Sequence, residues 1–165
     1  MYQHIEEPKQ KISQHAINVW RFTNTIGHFI FSIIIVVLLI LNANFEWYGW
    51  IGYVLWILLG LDIISAIWSV FFEPILLQKY WRYGINKDFV QLKHGRWNME
   101  HQAIPMTKIQ YVSLKQGPIL RKYGLSSVTI GTMASTHEIP AIQEDEAKTI
   151  RDEIAALAKI REVES

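Results

Sequence analysis

The 165 residues are 50% hydrophobic and 13% aromatic but only 19% charged, with a formal net charge of +1. A mean hydropathy of +0.12 points to a membrane protein and argues against a disordered tail or a basic nucleic-acid reader. There is no cysteine, which removes disulfide frameworks, thiolate zinc sites, iron–sulfur clusters and cysteine nucleophiles, and leaves the redox compartment unassigned.

The apolar residues crowd the first half. No formally charged residue lies between Arg21 and Glu46, and Ile26 to Leu41 reads IGHFIFSIIIVVLLIL; with its flanks this run can cross a hydrocarbon core that needs about 20 residues. A second run, Trp47 to Phe72, carries one charge, Asp62, and is expected to close at Glu73 and Pro74. Neither reads as a signal peptide, since Glu6, Glu7 and Pro8 precede the first and no small-x-small cleavage site follows it. Asn42 to Glu46 is too short for a domain, so the spans are expected to form an antiparallel hairpin with both ends on one side. Lys9, Lys11 and Arg21 precede the hairpin, Lys79, Arg82 and Lys87 follow it, and the loop holds only Glu46. That bias puts both termini in the cytoplasm and the protein in the cell membrane. Trp47, Tyr48 and Trp50 at the loop end, with Trp20, Phe22, Trp68, Phe71 and Phe72 at the other, form the two expected aromatic belts.

A carboxylate inside a span costs about 2.5–3.5 kcal/mol at the helix centre, so Asp62 calls for a partner. A turn centred near Asn44 sets Asp62 opposite Ile26 and within one helical turn of His28, and a His28–Asp62 hydrogen bond is expected. Ser65, Ala66 and Ser69 follow Asp62 on one stripe, and Gly27 and Ser32 flank His28, small faces that let helices approach closely. The pair reads either as a proton-handling site within an oligomer or as a carboxylate satisfied by its neighbour. The second reading weighs more, because two helices cannot enclose a transport path.

From Lys79 the pattern changes to short alternating runs between turn residues, a strand meander. Expected strands are Trp81–Ile85, Phe89–His94, Trp97–Ile104, Ile109–Gln116, Ser126–Gly131 and His137–Ile142. Pro118–Tyr123 is expected to form one helical turn, with proline at its start and Gly124 past its end. Glu144, Asp145 and Glu146 open a helix to about Arg161, whose apolar stripe (Ala147, Ile150, Ile154, Leu157, Ala158) would cover the strands.

The run IPMTKIQYVSLKQGPILRKYGLSSVTI, Ile104 to Ile130, and the earlier GINKDFVQLKHG, Gly84 to Gly95, resemble bacterial pleckstrin-homology (PH)-like membrane proteins of the YdbS type. The landmarks are Ile104 with Pro105, Lys108 to Gln110, Gly117 with Pro118, Arg121, and Gly124 with Leu125; a glycine expected after the next strand gives way to Met133 and Ala134. The resemblance spans nearly the whole chain. It implies a transmembrane hairpin (22–73) after an N-terminal cytoplasmic segment (1–21), then a PH-like bent barrel closed by a C-terminal helix (79–165). It further implies no enzymatic activity, and a larger membrane protein carrying several PH-like domains as hetero-partner.

No G-x-S-x-G elbow, Walker loop, Rossmann fingerprint or H-E-x-x-H motif occurs. His94, His101 and His137 read as scattered surface histidines, so no metal or cofactor is expected. Between Lys79 and Gly124 nine basic residues (Lys79, Arg82, Lys87, Lys93, Arg96, Lys108, Lys115, Arg121, Lys122) stand against Asp88 and Glu100, a net +7, whereas His137 to Ser165 carries −4. The basic part is expected either to face a partner or to lie on an anionic leaflet, where each Lys or Arg contributes about 1 kcal/mol; ordinary solubilising edge lysines are the alternative. Nucleic-acid binding is disfavoured, for want of an aromatic stacking platform. The function expected is a non-enzymatic, membrane-anchored PH-like module that binds a partner membrane protein or anionic lipid headgroups. The rivals are a membrane enzyme or transporter subunit using His28 and Asp62, and a structural scaffold of an envelope complex.

Overall fold

The computed structural model describes residues 7–45, 47–95 and 99–158. It divides into two compact units, one formed by Trp20–Ile75 and the other by the residues up to Val19 together with those from Leu76 onward.

Two long helices make the first unit. Helix α1 spans Ala16–Asn44 and α2 spans Gly49–Ile67, and both are long and apolar enough to cross a membrane. Large apolar side chains such as Phe29, Ile30, Ile57 and Ile64 face outward from the pair, as a lipid solvent demands. The second helical stretch does not close at Glu73 and Pro74. A π turn, Trp68–Phe72, leads straight into α3, Glu73–Tyr80. Proline offers no N–H to the carbonyl four residues back and its ring crowds that position. Widening the preceding turn relieves both problems, and the Glu73 N–H bonds to Trp68 O, five residues back.

The second unit holds two antiparallel three-stranded sheets. The first contains β1 (Arg82–Ile85), β2 (Phe89–His94) and β3 (Glu100–Pro105), in that order. A 3₁₀ turn, Met106–Lys108, leads to the second sheet of β4 (Ile109–Lys115), β5 (Leu125–Thr132) and β6 (Thr136–Gln143). The expected third strand began at Trp97, which lies outside the described residues; the strand runs on through Pro105, tolerated at the end of an outermost strand. Tyr83, Leu92 and Val90 are paired so as to share one face with Ile85 and Ile104, and Val112, Leu114, Val128, Ile130 and Ile139 share a face of the second sheet. Most of these are fully buried. Helix α4, Pro118–Lys122, is the expected single turn; Gly124, at φ +63°, takes the left-handed position just past it.

Helix α5, Glu144–Leu157, opens with three acidic residues and buries Ala147, Ile150 and Ile154 along one stripe against the second sheet. Residues 159–165, including the expected helix end at Arg161, lie outside the described part. The buried Tyr83 hydroxyl donates to Glu146 Oε1 at 2.7 Å, tying β1 to α5. Burial, reinforced by that carboxylate, pushes the phenol well above its usual range. At the helix start Lys148 and Gln116 both donate to Glu144 and hold its exposed carboxyl below the ordinary value.

The residues before α1 do not stand apart as a separate segment. Gln10 and Tyr83 exchange both backbone hydrogen bonds, at 3.1 and 3.0 Å. The Ser13 N–H reaches Ala141 O at 3.2 Å, and Gln78 Nε2 donates to Ile12 O at 3.3 Å. Lys93 donates to Glu7 at 2.8 Å, and Pro8 lies against Gly84 so closely that a Cβ there would sit 3.2 Å from the proline Cβ. Ile12, Ala16 and Val19 are buried. This strap therefore joins β1, the outermost strand of one sheet, to β6, the outermost strand of the other.

Ala141 adopts φ +50°, where an L side chain is disfavoured by about 1–2 kcal/mol. The register explains it: Ser126 faces Ile142 but Val128 faces Ile139, so two residues of β6 bulge opposite Ser127. Ala141→Val is expected to destabilise the protein by about 2 kcal/mol, because a β-branched side chain is poorly tolerated at positive φ and overfills a buried site. Ala141→Gly should change little, since relief of strain offsets the lost methyl. Denaturation midpoints of the two variants check this.

Candidate functional site

Three features were available to build a site: the polar residues of the hairpin, the basic residues of the second unit, and a groove in that unit. In the hairpin, Asn24, His28 and Ser32 recur every four residues and so share one face of α1. Opposite them lie Asp62 and Ser69, seven residues apart on the second helix. His28 Nδ1 lies 2.7 Å from Asp62 Oδ1, and the Ser32 hydroxyl donates to Asp62 Oδ2 at 2.7 Å. His28 Nε2 lies 2.8 Å from Ser69 Oγ, and Asn24 Nδ2 donates to Ser69 O at 2.8 Å. Asp62 lies between His28 and Ser32 rather than opposite Ile26. The offset follows from the helix ends: α1 runs to Asn44 and α2 starts at Gly49, so the turn is centred later than Asn44. At the loop end, a Cβ on Gly52 would come within 3.0 Å of Asn42 Nδ2, a second close approach in the same register.

Chemically this arrangement closes on itself. Both carboxylate oxygens and both imidazole nitrogens are occupied, the Asp62 side chain is 4% exposed and that of His28 is 24% exposed. Ser69 belongs to the π turn, so the widened turn is also the place where α1 grips the second helix. Asn24 carried no signal in the linear sequence beyond its four-residue spacing from His28.

The basic residues are spread over several elements. Arg82 and Lys93 are cross-strand neighbours at one end of the first sheet, and Lys93 is taken by Glu7. That contact holds the Glu7 carboxyl below its ordinary value. Lys79 is in α3 and Lys87 is in the β1–β2 turn. Lys108 precedes β4 and Lys115 ends it, so the strand sets them roughly 20 Å apart at about 3.3 Å per residue. Arg121 and Lys122 lie in α4, just after Lys115, and Arg121 further lowers the Glu144 carboxyl. Arg96 lies outside the described residues. The three histidines are likewise separate: His101 meets Gln91, His94 packs on Trp81, and His137 bridges Gln102 and Ser135. Among the described residues no group of three potential metal ligands occurs.

The groove escaped the linear reading because three distant segments build it. It has a volume of about 720 Å³ and runs between β3, the 3₁₀ turn, the start of β4 and the β5–β6 turn. Pro105 and Met133 supply apolar surface, Lys108 the formal charge, and none of the described lining residues is acidic. His137 Nδ1 lies 2.7 Å from Gln102 Oε1, and its Nε2 lies 2.7 Å from Ser135 Oγ, so the polar part of the wall is already tied down across the two sheets. Met133, at the tip where a glycine was expected, is 88% exposed.

Two three-stranded sheets, a C-terminal helix and a preceding apolar hairpin are the parts expected of a membrane-tethered PH-like protein. The family model described as "Bacterial PH domain" matches residues 21–158. The chain belongs to the bacterial PH domain family. It is 34% identical over 155 residues to the UPF0699 transmembrane protein YdbS of Bacillus subtilis (strain 168), an alignment that covers 94% of this chain and 96% of the relative. No solved structure matches the chain. This bacterial PH domain protein is accordingly an integral membrane protein, with two candidate spans ahead of its two sheets.

Proposed function

We propose that this protein is a non-enzymatic module, anchored in the cell membrane by its hairpin with both termini in the cytoplasm, whose PH-like domain binds a partner membrane protein. The observation that carries the reading is the groove: at about 720 Å³ it falls in the range of preformed binding sites, and the hydrogen-bonded side chains of Gln102, His137 and Ser135 converge on it. The Gln10–Tyr83 backbone pair supports placing the two ends of the hairpin on one side, since residues before and after the spans complete one folded unit. The dispersal of the basic residues favours a protein partner over a lipid surface. Lipid headgroups remain the second reading because Lys115, Arg121 and Lys122 follow one another closely around α4.

The test is co-purification of the full-length protein from membranes with a stoichiometric partner, alongside Asp62→Asn. Capture is expected to survive this substitution, because Asp62 serves the hairpin. Loss of capture with the hairpin still folded would favour the intramembrane reading, and absence of any stoichiometric partner together with salt-sensitive binding to anionic vesicles would favour lipid.

A further inference from the structure

The four outermost strands of the two sheets are not equivalent. Those of β1 and β6 are both occupied by the strap, through Gln10 on Tyr83 and Ser13 on Ala141. The other two, β3 and β4, are consecutive in the chain, joined only by the 3₁₀ turn, and among the described residues neither has a second strand beside it. A free strand edge presents a row of unpaired N–H and C=O groups that an extended chain can complete. Residues of both strands line the groove, Gln102 to Pro105 from β3 and Ile109 with Gln110 from the start of β4.

We propose that the groove between β3 and β4 takes an extended segment of the partner protein by strand addition, and that this segment carries an acidic side chain for Lys108. The inference rests on the adaptor reading and names its contact. Main-chain pairing would supply the affinity, and alternate side chains would enter the groove. Ala103 and Ala134 leave room there, Pro105 and the exposed Met133 favour apolar side chains, and Lys108 stands in a wall whose described residues include no carboxylate. The His137–Gln102 bond at 2.7 Å fixes the floor before the segment arrives. β3 and β4 have 6 and 7 residues, enough for a short strand and no more.

The test uses full-length protein in nanodiscs of uncharged lipid and three fluorescein-labelled octapeptides: valine alternating with glutamate, valine alternating with lysine, and the first with proline at alternate positions. The glutamate peptide should bind and the other two should not. Lys108→Glu and the groove-filling Ala103→Trp should each weaken binding by about tenfold or more, and the peptide should slow hydrogen exchange of amides in 100–105 or 109–115. No saturable binding, equal binding of the lysine peptide, or affinity unmoved by both substitutions overturns the proposal. A photo-crosslinking residue placed at Ala134 or at Arg121 in cells separates this inference from the adaptor reading. A membrane-protein adduct at Ala134 that Lys108→Glu abolishes supports the groove; an adduct at Arg121 alone overturns the groove and leaves the adaptor; no adduct at either overturns both.

Discussion

His28→Ala is expected to destabilise the hairpin by about 3 kcal/mol, because removing one member of a buried pair leaves the other as an uncompensated charge. Asp62 would retain only the Ser32 hydroxyl, in a helix pair whose other surfaces face lipid, and the grip on Ser69 at the π turn would go with it. Replacing both partners, His28→Leu with Asp62→Leu, should return stability to within about 1 kcal/mol of the parent, since matched apolar residues need no compensation. Unfolding of the protein in bicelles by added strong detergent, followed by tryptophan fluorescence, measures both. A single substitution costing less than about 0.5 kcal/mol would mean that the carboxylate reaches water on its own.

The second large effect is expected in the strap. Ile12 is 2% exposed, and Ile12→Ala should cost about 3 kcal/mol by leaving a cavity where the strap meets the sheets. Ile12→Asp should cost more, because it buries a charge with no cation described beside it. Chemical denaturation followed by signals from the β-rich unit reads this out, and the hairpin should be unaffected. A fragment starting at Gln78 lacks Gln10, Ile12 and Ser13 altogether, leaves β1 with an open edge, and should self-associate where the full chain does not.

The strands were legible wherever alternation met turn residues: Phe89–His94 is as expected, and Ile109–Lys115, Leu125–Thr132 and Thr136–Gln143 agree within a residue at each end. The helix after Gln143 was legible because Glu144 to Glu146 precede a helical apolar stripe. The strap was not, because it pairs through one residue, Gln10, and owes its place to tertiary burial of Ile12 rather than to any period. Helix continuation past Pro74 was missed for a related reason: proline marks a boundary in isolation, but a π turn before it removes the conflict. In the hairpin, residue type identified Asp62 and His28, while the exact register depended on where the two helices end, which apolar composition does not encode. The groove needed three segments to be folded together before it existed at all.

The Gln10–Tyr83 pairing also sets an order of events during synthesis. A ribosome releases Gln10 before either span and Tyr83 after both, so the pairing that completes the β-rich unit cannot form until both intervening helices have been synthesised. A chain halted between the two would hold Gln10 with no strand to pair with.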